Sequence, residues 1–346
     1  MISERDEQII NFIREKKGNS SKEIFEGITI PVSYATLKRS LTKLISKGYV
    51  VSEGQGKGTK YFLSPSFELI QPIDIDKYYE NEIDERQIKE TFNFELIKDI
   101  LNKNNVFTES ELSKLNLLQK EYEKNIIELT PSDYQKELDR LAIDLSWKSS
   151  QIEGNTYSLL ETERLLKEKQ TASGKTKEEA IMLLNHKDAL DFIIENKNYL
   201  NPLRVSKIED IHNILIKELG IERNLRKRRV GISGTNYKPL DNEFQIMEAL
   251  REACKVINGK KSVFEKALLA LVLISYIQPF TDGNKRTARI VSNAILINYN
   301  YCPLSFRTVN SIDYKKAMLL FYEQNNISNF KDIFINQFEF AVKTYF

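Results

Sequence analysis

Residues 264 to 277 are apolar almost all round, and they run straight into Gln278-Pro279-Phe280-Thr281-Asp282-Gly283-Asn284-Lys285-Arg286-Thr287-Ala288-Arg289. A helix with no polar face must be buried, and Pro279 cannot continue it. The chain therefore has to turn at the edge of its own core, and it does so with a carboxylate, a glycine and three cations in twelve residues. Downstream, Ile290, Val291, Ala294, Ile295 and Ile297 recur at helical spacing, with Asn284 as the expected N-cap. Gly283 then stands just before a helix N-terminus, where backbone N–H groups lack helical partners and the dipole favours an anion. A phosphate fits there, framed by Thr281, Gly283, Asn284 and Lys285. Arg286 and Arg289 are three apart, hence on one face, and can fork onto phosphate oxygens. Asp282 is a candidate Mg²⁺ ligand, because that ion takes one or two carboxylates and fills its shell with phosphate oxygens and water. A plain helix start with solvated Lys and Arg accounts for the charges, but not for Gly-Asn-Lys-Arg directly after an aromatic turn.

The segment resembles the signature of the Fic/Doc (Fido) superfamily, H-P-F-x-[D/E]-G-N-G/K-R-x-x-R, and with its supporting stretches the resemblance covers roughly the last two-thirds of the chain. It implies a mainly α fold, a Fido-type helical core with a β-hairpin flap, and ATP with Mg²⁺ as the bound nucleotide. Fic proteins mostly transfer AMP from ATP to a hydroxyl of a target protein. Doc-type members carry a lysine at the position of Lys285 and phosphorylate instead. The residue at the position of the family's general base is Gln278 here, while Asp282 and Gly283 are Fic-like. Ser149-Ser150-Gln151-Ile152-Glu153-Gly154 resembles the inhibitory motif [S/T]-x-x-x-E-[G/N], which implies that Ser149, Glu153 and Gly154 form an N-terminal inhibitory helix end and that Glu153 pairs with Arg289. A helix-end carboxylate before a C-cap glycine is the bland alternative.

Arg228 to Pro239 alternates around Ser233-Gly234-Thr235-Asn236, a hairpin signal in a helical region. It resembles the family's flap, which holds a target segment by strand addition; Gly234, Thr235, Asn236 and Tyr237 are the residues expected to form it. A structural hairpin packed on helices is equally compatible.

The first residues form another unit. Glu7 to Lys17 reads as a helix, Ser20-Ser21-Lys22-Glu23 as a capping box opening a second, and Pro31-Val32-Ser33 as the start of a third, whose Leu37, Leu41, Leu44 and Ile45 face inward and which Gly48 closes. Two short strands, Tyr49-Val50-Val51 and Lys60-Tyr61-Phe62-Leu63, flank a glycine-rich turn. This resembles a winged helix-turn-helix domain. Lys38, Arg39, Thr42 and Lys43 are the expected exposed residues of a recognition helix, with Lys57 and Lys60 on the wing near phosphate, so DNA is an expected partner. Winged helices that dock proteins are the alternative. The expected organisation is residues 1–63 as this domain, 64–130 as linker and helical connector, and 131–346 as the Fic domain with its inhibitory helix.

A net charge of +2 gives no whole-molecule field toward nucleic acid or membrane, so any such partner must bind a local patch. The two cysteines, Cys254 and Cys302, have no pairing or metal spacing, and the first residues are polar, so a reducing cytoplasm is expected. The run Ala267 to Ile277 is too short to span a bilayer. His186 and His212, the two histidines of the chain, are not in a ligand pattern, and no zinc site is expected. Function turns on Gln278, because an amide cannot take the proton of an attacking hydroxyl. Three readings stay open: a slow AMP-transferase, a nucleotide sensor that regulates DNA binding, and a Doc-like phosphotransferase.

Overall fold

The computed structural model describes residues 3–16 and 18–346. The chain opens with α1 (Glu4–Glu15), β1 (Asn19–Ser20), α2 (Ser21–Gly27), α3 (Tyr34–Ser46), β2 (Val50–Glu53) and β3 (Lys60–Leu63). The first helix starts three residues earlier than the apolar spacing predicts, because the Ser3 hydroxyl accepts from the Asp6 N–H and caps it. The capping box at Ser20 and Glu23 forms with both of its bonds. Ile9, Ile10, Ile13, Ile24, Leu37, Leu41 and Leu44 make the core of this unit. Ile45, expected inward, is 38% exposed; it lies one step of about 100° beyond the Leu37–Leu41–Leu44 stripe. The sheet is antiparallel in the order β1-β3-β2, with Val50 opposite Leu63 and Asn19 opposite Tyr61. A winged helix-turn-helix results. The side chain of Lys57 lies outside the described residues.

The stretch after β3 is a packed strap. Its short helices α4 (Phe67–Ile70) and α5 (Ile75–Tyr78) bury Phe67, Leu69 and Ile70, and a π-helical turn over Leu96–Leu101 buries Leu96, Ile97 and Leu101. Long helices follow: α6 (Glu109–Glu128), α7 (Pro131–Ile152), α8 (Leu159–Glu168), α9 (Lys177–Glu195), α10 (Val205–Leu215), α11 (Glu243–Gly259), α12 (Val263–Ile277), α13 (Asn284–Asn298), α14 (Ser311–Gln324) and α15 (Ser328–Tyr345). Every residue of α12 is buried, as its apolar run dictates. It packs on α13, α11 and α14, while α7, α9 and α10 close the other side of α13. The strap is riveted to the start of α15: Ile327 N–H donates to Leu69 O at 2.7 Å, and Asn326 Nδ2 donates to Glu68 O and Gln71 O at 2.8 Å each.

The hairpin expected over 228–239 has its turn, at Ser233-Gly234, but no ladder joins its two arms. Lys238 instead makes a parallel bridge to Thr91 of the strap. Alternation in sequence is compatible with pairing to any neighbour, and the strap is the neighbour that arrives.

Candidate functional site

The loop between α12 and α13 is fixed by its own side chains. Gln278, the C-cap of α12, adopts a left-handed conformation with φ of 51°, and Phe280 stacks on His212 at a centroid distance of 3.6 Å. His212 Nε2 lies 3.0 Å from Asp282 O, which it meets as the donor when neutral; burial pushes its pKa down to about 4, so it is neutral at physiological pH. Gly283, not Asn284, is the N-cap of α13, with φ of 80°. A Cβ there would stand 3.3 Å from the His212 ring, so both the backbone conformation and the space demand glycine. Asn284 is drawn inward instead. Its Oδ1 accepts from the Phe280 N–H at 2.8 Å, and its Nδ2 donates to Gln278 Oε1 at 3.0 Å and Phe280 O at 2.9 Å. Gln278 Nε2 donates to Ser275 O at 2.7 Å, so both ends of that amide are bonded.

Arg286 and Arg289 point from one face of α13 and are 1% and 0% exposed. Arg286 Nη2 donates to Asp282 Oδ2 at 3.1 Å, but its Nε and Nη1 are buried without a protein partner. Arg289 donates through Nε to Ser149 Oγ at 2.8 Å and through Nη2 to Ser149 O at 3.0 Å and Glu153 Oε1 at 2.9 Å. The second oxygen of Glu153 accepts from Lys285 Nζ at 3.3 Å. Burial pushes the Glu153 carboxyl up, but Arg289 and then Lys285 outweigh it, and its pKa ends below the usual carboxylate range. Glu153 terminates α7, and Gly154 behind it, with φ of 100°, lets the chain reverse.

A cavity of about 330 Å³ opens in front of this cluster, lined by Glu153, Gln278, Thr281, Asp282, Asn284 and Lys285 on one side. Ile152, Ile232, Met318 and Leu319 make apolar walls, and Lys315 adds a cation at the rim. The flap residues that reach it are Gly231, Ile232 and Ser233. The expected Gly234, Thr235, Asn236 and Tyr237 do not: Tyr237 is buried with its hydroxyl on Tyr276 O at 3.1 Å, and Asn236 bonds Asp84. The flap contacts fall in the residues just before the turn, at which the left-handed Gly234, with φ of 89°, redirects the chain.

Arg226, which no periodicity singles out, is fully buried and donates to the carbonyls of Gln278 at 2.6 Å, Arg228 at 2.8 Å and Leu240. It ties the base of the flap to the loop. Its one sequence signal is a charge next to Leu225 where a surface lysine would serve as well.

On the winged helix, Arg39 and Thr42 are exposed, with Thr42 Oγ1 bonded to Lys38 O. Lys38 is half-buried, with Nζ 3.3 Å from Tyr61 Oη, and Lys43 pairs at 3.1 Å with Asp6, whose side chain is 1% exposed. Two of the four expected DNA contacts are therefore engaged within the domain. A buried carboxylate on α1 claims Lys43, which a helical wheel of α3 alone cannot display.

Residues 202–296 match the sequence model of the Fic/DOC family, and residues 2–117 match that of the penicillinase repressors. The chain is 30% identical over 200 residues to a protein adenylyltransferase Fic of Nematostella vectensis, covering 54% of this chain and 43% of the relative. It is 25% identical over 174 residues to protein adenylyltransferase fic-1 of Caenorhabditis elegans, covering 48% and 34%. The match thus spans less than half the length of these curated relatives. Among solved structures, Fic-1 of C. elegans superposes with a TM-score of 0.59 at 19% identity over 68% of this chain and 72% of that one. A Fic domain containing signaling protein of Bacteroides thetaiotaomicron gives 0.53 at 20% identity over 66% and 96%. Family models, relatives and fold agree, and the chain carries a Fic/DOC domain preceded by a winged-helix domain.

Proposed function

We propose that the cavity before α13 binds ATP with Mg²⁺, and that the chain is an autoinhibited member of the protein adenylyltransferase group, transferring AMP slowly to a Ser, Thr or Tyr hydroxyl of a target protein. The observation that carries this reading is Arg286, whose Nε and Nη1 are buried with no protein acceptor. Buried guanidinium donors without partners are costly, and phosphate oxygens arriving over the α13 N-terminus would satisfy them. Asp282, with a side chain 64% exposed at the cavity edge, suits a magnesium ion that takes one carboxylate and completes its shell from phosphate and water. Bound there, the ion would offset charge on the phosphates. Among the described residues no cluster of His, Cys, Asp and Glu could hold a metal without the nucleotide. Ile152, Ile232, Met318 and Leu319 would receive the base, and Glu153 would hold Arg289 away from the terminal phosphate until displaced. The chain divides into residues 1–63, 64–130 and 131–346, with DNA at the first unit through the exposed Arg39 and Thr42.

One observation favours a second reading, a nucleotide-sensing DNA-binding regulator without transfer. Both ends of the Gln278 amide are bonded, and an amide takes no proton near neutral pH, which forfeits about 10²–10⁴ in rate. The experiment is calorimetry followed by labelled nucleotide. ATP with Mg²⁺ should bind, and Arg286→Ala should weaken binding at least tenfold; equal affinities would reject the site. Transfer from the α-phosphate supports the first reading, transfer from the γ-phosphate a Doc-like phosphotransferase, and binding without transfer the sensor.

A further inference from the structure

Residues 82–91 of the strap run along the outer side of the flap. Asn236 Nδ2 donates to Asp84 Oδ1 at 2.8 Å, Lys238 N–H to Glu90 O at 2.7 Å, and Lys238 Nζ to Glu90 Oε2 at 2.8 Å. Between these contacts Arg86 reaches the flap turn, where Nη2 donates to Gly234 O at 2.8 Å. The same Nη2 lies 3.5 Å from Oε1 of Glu323, near the end of α14, and the two side chains are 4% and 0% exposed. The other oxygen of Glu323 accepts from Tyr78 Oη at 2.7 Å, and the guanidinium sits 4.9 Å from the Tyr79 ring. A hydrophobic pair of similar volume would be at least as stable as this buried pair. What it adds is direction, because Nη2 donates to the Gly234 carbonyl while its charge faces Glu323 Oε1, which has no hydrogen-bond partner among the described residues. The helix it grips also lines the cavity through Lys315, Met318 and Leu319, and a Cβ on Gly234 would stand 3.2 Å from Leu319.

We propose that Arg86 is a positioning residue for the flap. It latches the turn at Gly234 to Glu323, so that Gly231, Ile232 and Ser233 stand at a fixed height over the cavity. The latch stands on these contacts and does not depend on the reading of the cavity as a nucleotide site.

The test is amide hydrogen exchange on the full chain without nucleotide, for wild type, Arg86→Ala, Arg86→Lys and Glu323→Gln. Exchange of the Tyr237 and Lys238 amides, the hydrogen-bonded N–H groups of the flap, should speed up about tenfold in Arg86→Ala, the factor for one charge-assisted hydrogen bond, while α12 keeps its protection. Arg86→Lys should recover most of the melting temperature yet leave the flap as fast as in Arg86→Ala, because the shorter lysine keeps a charge beside Glu323 but lacks the terminal Nη2 that reaches Gly234 O. Glu323→Gln, close in shape, should speed the flap by a similar factor, and it serves if Arg86→Ala does not fold. Unchanged flap exchange in the alanine variant, or full flap protection in the lysine variant, overturns the latch. Calorimetry with ATP on the same proteins stands apart: failure of wild type to bind would reject the nucleotide site and leave the exchange result intact.

Discussion

Glu153→Gln tests the lock at its most charged point. The carboxylate faces Arg289, which is 0% exposed, and Lys285 at 23%, while one-fifth of the Glu153 side chain still meets solvent. Removing the charge strands a buried guanidinium, and breaking such a pair costs about 3–5 kcal/mol. The partial exposure, and the bond a glutamine oxygen can still accept, place this case at the lower end, ~3 kcal/mol. For a chain of this size that is a fall in melting temperature on the order of 5 °C. On the proposed reading of the cavity a nucleotide's terminal phosphates meet these same two cations, so wild type would have to displace Glu153 before binding fully, and the variant would not. A cost of ~3 kcal/mol corresponds to about two decades in affinity, so ATP should bind the variant up to about a hundredfold more tightly and raise its melting temperature more. Differential scanning fluorimetry and calorimetry measure both. A variant that melts like wild type and binds ATP with unchanged affinity would refute the reasoning. The pH dependence has a definite sign: the Glu153 pKa is lowered on folding, so its contribution is complete above the ordinary carboxylate value and is lost only as pH falls through the lower folded value. Between pH 6 and 8 the lock should not change.

Gln278→His combined with Glu153→Gly should raise self-labelling from α-phosphate-labelled ATP far more than the two single changes together, because one supplies a base and the other frees Arg289; an inert double variant would favour the sensor reading. Arg39→Ala should reduce the salt dependence of DNA binding by about one phosphate contact, read as the slope of log affinity against log salt, whereas an unchanged slope would move the contact elsewhere. His186 and His212 are both buried and both held below the ordinary histidine value by burial first. The unfolded chain therefore takes up protons that the folded chain does not as pH falls below about 6.5, so stability should drop by up to ~2.7 kcal/mol per pH unit toward pH 5; a urea series showing flat stability from pH 7 to 5 would contradict this.

Contacts between near neighbours in the chain were legible in the residues themselves. The Ser20–Glu23 box, the all-apolar run that becomes α12, the proline after it and the glycine before α13 are set by spacing of a few residues and by backbone sterics, which act before any tertiary contact exists. The pairing of Glu153 with Arg289, across 136 residues, was legible only through resemblance to a family motif. Asn284 was misplaced as a cap because side-chain chemistry alone does not say whether an asparagine bonds its own helix or the loop beneath it. Lys285 on Glu153, Arg226 under the flap, Arg86 on Gly234 and Lys43 on Asp6 were decided by tertiary structure. Each is a charge whose sequence neighbours are compatible with a solvated surface, and only the arrival of a distant carboxylate or carbonyl in a dry environment gives it a partner and a role. The flap shows the same division, since alternation and Gly234 specified a turn, while the strap, packed there by Phe67, Leu69 and Ile70 upstream and held by Glu323, determined what its arms pair with.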